Sequence, residues 1–290
     1  MGSLIGGLLS SKHEVTLVGR PGHVRAIRKR GLKIIGKIGI VAHVNAATKV
    51  PDEAQDLIIV ATKAYDTTVA VKTLEKFWNN SLFLTLQNGL RNPDIIAAKA
   101  KRVMAGTTSH GVTFVKFGLV HHAGFGDTYI GTFKGTSQEE VEGICSEFTS
   151  CDFPAKYSED VRRDLWLKVI VNAAINPITA IVKVPNGRLL EVPQLHALML
   201  QSCEEGVRVA RKEGHDISYE EAVKVVERVA RRTAENKSSM LQDIENGRRT
   251  EVEEISGAIV KAGKKHGFAL PTLDTIRLTV MVLERSRVKK

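Results

Sequence analysis

The sequence predicts a doubly wound, mostly parallel α/β domain followed by an all-helical domain. Three observations carry this. Strands alternate with helices through the first half of the chain, the pattern of a layered α/β sheet. The segment Ala54-Gln-Asp-Leu-Ile-Ile-Val-Ala-Thr62 ends in a continuous apolar run, as in a strand covered on both faces. From Val161 onward the apolar period is helical only, with long amphipathic stretches at Leu195–Glu213, Tyr219–Ala234 and Val252–His266. The change near Tyr157 divides the chain into residues 1–157 and 158–290, and 290 residues suffice for two domains with real cores.

The elements of the first half follow in order. Ser3 to Ser10 is a short helical pattern rich in Gly and Leu, and Glu14 to Arg20 is a strand. Pro21 to Arg30 is a basic helix that stops at Gly31. Leu32 to Val44 reads as a hairpin turning at Gly36 and Gly39. A helix runs from Thr67 to Phe77, followed by the strand Leu82–Leu86 and then Gln87-Asn88-Gly89. After a further helix come the strand run Val103–Val115 and a glycine-rich antiparallel stretch, Gly118–Gly131. Gly124-Phe-Gly126 imitates a glycine fingerprint, but no helical pattern follows, so a hairpin or bend is expected.

Composition narrows the function classes. With 43% hydrophobic residues and mixed charge, the chain reads as globular, and no run approaches the length of a membrane span. No signal-peptide pattern opens it, and a cytoplasmic location without a membrane partner is expected. Cys145, Cys151 and Cys203 form no CxxC, so neither a disulfide framework nor a zinc site is indicated. His121-His122 lacks a partner at ligand spacing and receives no metal role. The net charge of +10 raises nucleic acid as a partner. The cations are interleaved with acids, however, and clusters such as Arg25–Arg30 lack aromatics for base stacking. Attraction for small anions explains the charge equally well, and no nucleic-acid partner is expected.

Gly2-Ser-Leu-Ile-Gly-Gly-Leu-Leu resembles the helix that follows the last glycine of a dinucleotide fingerprint. The preceding strand and first two glycines of that pattern are absent from the sequence. The expectation is that translation begins upstream of Met1, and that the 290-residue chain binds dinucleotide or folds poorly. Arg20 ends the next strand, where an acidic side chain would serve NAD; an arginine suits a 2′-phosphate instead. Lys63 adds a second cation after another strand, and Asn88 follows a third. Polar residues at three strand ends favour a cofactor site, with Gly2, Arg20, Lys63 and Asn88 as its candidates.

Lys168, Asn172 and Asn176 recur at a spacing of four in Leu165-Trp-Leu-Lys-Val-Ile-Val-Asn-Ala-Ala-Ile-Asn-Pro177. Each such step turns about 40° around a helix, so the three form one polar stripe on an otherwise apolar helix. A buried ammonium and two amides are costly unless polar groups meet them. An internal polar network would satisfy that need. The wall of a substrate pocket is the preferred reading, because perturbed ionisable groups cluster at functional sites.

These segments together resemble the ketopantoate reductase (2-dehydropantoate 2-reductase) family. The likeness is carried by Gly2–Leu9, Val15–Arg20, Ile58–Lys63, Gln87-Asn-Gly89, Leu165–Ala180 and Pro185-Asn-Gly187. Glu235-Asn-Lys-Ser-Ser-Met-Leu-Gln-Asp243 and Arg249-Thr-Glu251 extend it over essentially the whole chain. The resemblance implies a Rossmann-type NADP domain, a helical substrate domain, and NADPH-dependent reduction of ketopantoate to (R)-pantoate in pantothenate and coenzyme A biosynthesis. It implies Lys168 as the catalytic lysine and Glu251 as the carboxylate that holds the substrate's terminal hydroxyl. Asn88, Asn172, Asn176, Asn236 and Ser239 become polar groups around substrate and nicotinamide, with Asn186 in support. Gly2, Arg20 and Lys63 match cofactor positions. NADH is the alternative cofactor, and a homodimer is expected.

The chemistry suits the residue types. Hydride delivery to a ketone carbon leaves negative charge on oxygen, which a placed ammonium can stabilise and protonate. Thr250-Glu-Val-Glu253 also fits a capping box, giving Glu251 an alternative role at a helix start. Two other functions compete: a different two-domain keto-acid dehydrogenase, such as an opine or 3-hydroxyacid type, and a cofactor-dead small-molecule sensor.

Overall fold

The computed structural model describes residues 1–287. The chain divides into two units: Met1–Gln87 with Asn92–Val161, and Asn88–Arg91 with Arg162 onward.

In the first unit, α1 (Gly2–Leu9) leads to β1 (Thr16–Val18), then α2 (Pro21–Arg30), β2 (Leu32–Gly36), β3 (Ile40–Ala42) and β4 (Asn45–Ala47). The chain continues through β5 (Leu57–Val60), α3 (Thr67–Lys72), β6 (Leu82–Thr85), α4 (Asn92–Ala97) and β7 (Arg102–Thr108). The unit closes with β8 (Gly111–Lys116), β9 (Leu119–Gly124), β10 (Thr128–Lys134), α5 (Gln138–Ser150) and β11 (Lys156–Tyr157). Pro21 starts α2 because its missing N–H costs nothing in a first turn. Gly31 ends it at φ 72°, where a Cβ would lie 2.7 Å from Val41 Cγ1.

The strands form three sheets: β1-β4, β11-β10-β7-β6-β5, and β3-β2-β9-β8. β5, β6 and β7 run parallel, with Leu57 opposite Leu82 and Leu82 opposite Arg102. β10 is antiparallel to β7. Both faces of β6 are covered, which explains its unbroken apolar run. Leu82 and Leu84 enter a core with Leu4, Ile5, Met104 and Phe148, while Phe83 enters another with Val71, Ile96 and Val103.

Two expectations are corrected in this unit. The run Val103–Val115 is not one strand; β7 and β8 belong to different sheets. The helix expected over Thr67–Phe77 stops at Lys72 and resumes as a 3-10 turn at Glu75–Phe77. There the Thr73 hydroxyl donates to the Ala70 carbonyl at 2.7 Å and the Trp78 indole to Val71 at 3.1 Å, drawing carbonyls away from the helical ladder.

The second unit is helical: α6 (Val161–Val182), α7 (Arg188–Glu191), α8 (Pro193–Lys212), α9 (Tyr219–Arg232), α10 (Ser239–Glu245), α11 (Val252–Lys265) and α12 (Pro271–Arg287). Its core gathers Ile170, Ala173, Ile178, Met199, Val207, Val226, Leu241, Ile255, Ile259 and Leu273. α8 approaches α6 closely at Gly206, where a Cβ would lie 3.0 Å from Ile170 Cγ1. Glu205 on α8 accepts from the Thr272 and Leu273 N–H groups at 2.9 and 2.8 Å, capping α12 from outside.

α6 corrects a further reading. Among the described residues it is the one helix long and apolar enough to cross a membrane, with a mean hydropathy of 1.6. Its charged residues Arg162, Arg163 and Asp164 gather in the first turn, and Lys168, Asn172, Asn176 and Thr179 are too few to lower the mean of the rest. Most of its apolar stretch (72%) is buried, as in a core helix.

Candidate active site

The polar stripe lies on α6 as the spacing demands. Lys168 and Asn172 are partly buried, and Asn176 is buried. Desolvation lowers the Lys168 ammonium from 10.5 to about 8, and the Glu251 carboxylate opposes that shift. Glu251 is 7% exposed, and its Oε2 accepts from Asn88 Nδ2 at 3.2 Å. Lys168, Glu251 and Asn88 therefore form one electrostatic group, assembled from positions 80 or more residues apart in sequence. Gly89 permits the approach of Asn88. Its φ is +95°, and a Cβ there would lie 2.8 Å from the Glu254 carbonyl.

Glu251 is the N-cap of α11 but makes no side-chain cap bond. The capping box that the spacing of Thr250 and Glu253 offered as an alternative is absent, because Thr250 stands before the N-cap and Glu253 pairs with Arg277 at 2.5 Å. A true capping box does form on α5, between Ser137 and Glu140. Glu254, missed from sequence, adds a carboxyl raised by burial, with one oxygen that is buried and unpaired.

The lower end of the stripe is anchored by hydroxyls. Pro177 removes one helix donor, and Thr179 bonds back to the Ile175 and Asn176 carbonyls at 3.1 and 3.0 Å. Thr179 also meets the Ser238 hydroxyl at 2.8 Å, and Ser238 caps α10 by accepting from Leu241 N–H at 3.1 Å. Ser239, the serine expected from the sequence, is exposed at the first position of α10; the buried member of the pair is Ser238. Asn236 is exposed as well. Its carbonyl accepts from Asn186 N–H at 3.0 Å, and Asn186 Nδ2 donates to Thr233 Oγ1 at 2.8 Å. Gly187 completes that dock, since a Cβ would lie 2.7 Å from Ala234 Cβ. Asn186 thus supports the backbone that carries Asn236.

In the first unit, the cofactor candidates converge through their neighbours. Gly2 opens α1, and a Cβ on it would lie 3.0 Å from Ala61 Cβ, two residues before Lys63. Ser3 Oγ lies 3.1 Å from His23 Nε2, joining the first turns of α1 and α2. Arg20 is the exposed N-cap of α2. His23 Nδ1 accepts from Gly118 N–H at 3.0 Å, so Nε2 holds the proton offered to Ser3. Burial, and then the Arg20 charge, lower the pKa of that ring. A helix start without a bulky side chain, beside two cations, fits a phosphate-bearing nucleotide. Gln87 closes a buried network behind β5 and β6, donating to Thr62 O and Thr67 Oγ1, each at 2.8 Å.

His122, given no role from sequence, is fully buried, with Nε2 3.1 Å from His110 Nδ1. His110 stacks on Phe153 at 4.5 Å. Burial first, and His122 beside it, lower His110 to about 4. Among the described residues, no cluster of three or more metal-ligating side chains occurs. All three cysteines are buried and free.

A parallel α/β unit with Arg20 and Lys63 beyond its strand ends, and a helical unit with Lys168 in the field of the Glu251 carboxylate, fit one class: a pyridine-nucleotide-dependent reductase of two domains. Residues 1–135 match the family model described as ketopantoate reductase PanE/ApbA, and residues 160–284 match its C-terminal counterpart. The chain belongs to the ketopantoate reductase family. It is 37% identical to the 2-dehydropantoate 2-reductase of Halobacterium salinarum, covering 98% of this chain and 96% of that one. To that of Archaeoglobus fulgidus it is 38% identical, over 92% and 89% of the two chains. A PanE/ApbA family ketopantoate reductase structure from Ralstonia eutropha superposes with a TM-score of 0.88 at 28% identity, covering 98% and 95% of the two chains. D-mandelate dehydrogenase, solved with NADH and anilino(oxo)acetate, superposes at 0.93 with 26% identity, covering 99% and 96%.

Proposed function

We propose that this chain reduces 2-dehydropantoate to (R)-pantoate with NADPH, on the route to pantothenate and coenzyme A. The observation that carries the reading is Lys168, an ammonium lowered to about 8 by burial and countered by Glu251. A group near that value is protonated at neutral pH yet releases its proton readily, as a general acid must. The relatives from Halobacterium salinarum and Archaeoglobus fulgidus support the substrate.

When bound, the reduced nicotinamide supplies a hydride to the C2 carbonyl carbon. Lys168 stabilises the charge that develops on the carbonyl oxygen and donates the proton that completes the alcohol; solvent then reprotonates the amine. Glu251 accepts a hydrogen bond from the substrate's terminal hydroxyl. Asn88, Asn172, Asn176, Asn236 and Ser239 serve as neutral donors around the carbonyl and carboxylate, where a further cation would compete with Lys168. Arg20 and Lys63 hold the 2′-phosphate, and Gly2 leaves room for phosphate at the start of α1.

A second reading is a D-2-hydroxyacid dehydrogenase that uses NADH, favoured by the superposition on D-mandelate dehydrogenase. A homodimer is supported by Leu278 and Val282, 49% and 65% exposed one turn apart on α12. A cytoplasmic location is supported by the three free thiols.

The test is steady-state NADPH oxidation with 2-dehydropantoate, comparing this chain with its Lys168→Ala variant. Turnover that collapses in the variant supports the reading. Turnover retained in Lys168→Ala overturns the assignment of the acid. A folded parent chain that turns over aromatic 2-keto acids with NADH, and not 2-dehydropantoate, would establish the second reading.

A further inference from the structure

We propose that Glu284 on α12 is the positioning residue that sets the Glu251 carboxylate for the substrate's terminal hydroxyl. The inference rests on the reading of Glu251 given above. Glu284 Oε1 accepts from the Thr250 backbone N–H at 2.7 Å, and the Thr250 hydroxyl donates to the same oxygen. That hydroxyl in turn accepts from the Val252 N–H at 3.2 Å. The peptide before Thr250 is therefore tied directly, and the peptide after Glu251 through the Thr250 hydroxyl, to one carboxylate that lies 34 residues further along the chain than Thr250.

Burial makes this arrangement exacting. Thr250 is 2% exposed and Val252 1%, so water cannot readily replace Glu284 at the Thr250 N–H. An ionised acceptor makes stronger bonds than a neutral one, and here one oxygen takes two donors. The Glu251 carbonyl accepts from Ile255 N–H at 3.0 Å, so its backbone is fixed from the helix side as well. Two duties that one glutamate often combines at a helix start are separated here. Glu284 holds the turn through Thr250, and the Glu251 carboxylate makes no cap bond, accepting from Asn88 instead.

The test compares KM and kcat for 2-dehydropantoate and for 3,3-dimethyl-2-oxobutanoate, the same keto acid without the hydroxyl. In Glu284→Ala, KM for 2-dehydropantoate should rise about tenfold with kcat within about twofold, while KM for the deoxy acid stays unchanged. Glu284→Gln, which retains an acceptor for the Thr250 N–H, should recover most of the loss. Thr250→Ala, which keeps the N–H bond but loses the hydroxyl, supplies a milder variant with the same substrate selectivity. Adding Glu284→Ala to Glu251→Gln should cost nothing more, because the group being positioned is already gone. Equal weakening of both substrates in Glu284→Ala and Thr250→Ala overturns the proposal and leaves Glu284 a general support. If Glu251→Gln itself weakens both substrates alike, the Glu251 reading fails first, and the positioning role falls with it.

Discussion

Asn88 Nδ2 donates to Glu251 Oε2 at 3.2 Å across 163 residues of sequence. The bond joins a short loop after β6 to the N-cap of α11, and it fixes one oxygen of a buried carboxylate. Removing the donor leaves that charge less satisfied, a loss of about 1–3 kcal/mol at a buried site. In Asn88→Ala, KM for 2-dehydropantoate should rise about tenfold or more, read by steady-state kinetics. An unchanged KM would remove Asn88 from the substrate site.

The Lys168 ammonium must be protonated to act as an acid. With its value lowered to about 8, kcat should fall as pH rises through that value. Glu251 raises the lysine's pKa, so the alkaline limb should move to lower pH in Glu251→Gln. Lys168→Ala should lose on the order of a hundred- to ten-thousand-fold in kcat. An alkaline limb that persists unchanged in a residually active Lys168→Ala would assign it to another group.

Arg20 and Lys63 are the cations offered to a 2′-phosphate. Arg20→Ala should raise KM for NADPH roughly tenfold to a hundredfold and leave KM for NADH nearly unchanged, because only the former carries that phosphate. Equal losses for both nucleotides would show that Arg20 does not read the 2′ position.

His110 and His122 make the first unit sensitive to acid. Both ring pKa values are lowered in the fold, His110 from 6.5 to about 4. Between these limits the unfolded chain binds more protons than the folded one, so stability rises with pH and is lost as pH falls below 6.5. His110 is 8% exposed, and its shift corresponds to about 3 kcal/mol by pH 4. Urea unfolding followed from pH 7 to about 4 should show this loss, and His110→Phe should reduce it. A parent chain and variant with the same pH dependence would contradict the assignment.

Much of the first unit was legible because local rules agree with the fold there. Pro21 and Gly31 bound α2, and the apolar run before Thr62 reads as a strand covered on both faces. The break after Lys72 was not legible, since it depends on where the Trp78 indole folds back. Nor was the partner of His122, because His110 reaches it only through pairing between β8 and β9. Among the site residues, Lys168, Asn172 and Asn176 stood out by spacing alone. Ser239 was chosen from a pair whose buried member is Ser238, a distinction made by the turn of α10 against Thr179.

The order of elements, the helical stripe of Lys168 and the residue types that hydride chemistry requires are written in the chain locally. These depend on backbone periods and side-chain chemistry, which neighbouring residues encode. Which carboxylate acts on the Lys168 charge, which one holds the helix start and which serine is buried emerge only on folding. Those outcomes depend on contacts between segments far apart in the chain, such as Asn88 with Glu251 and Thr250 with Glu284, and no local pattern records such distances.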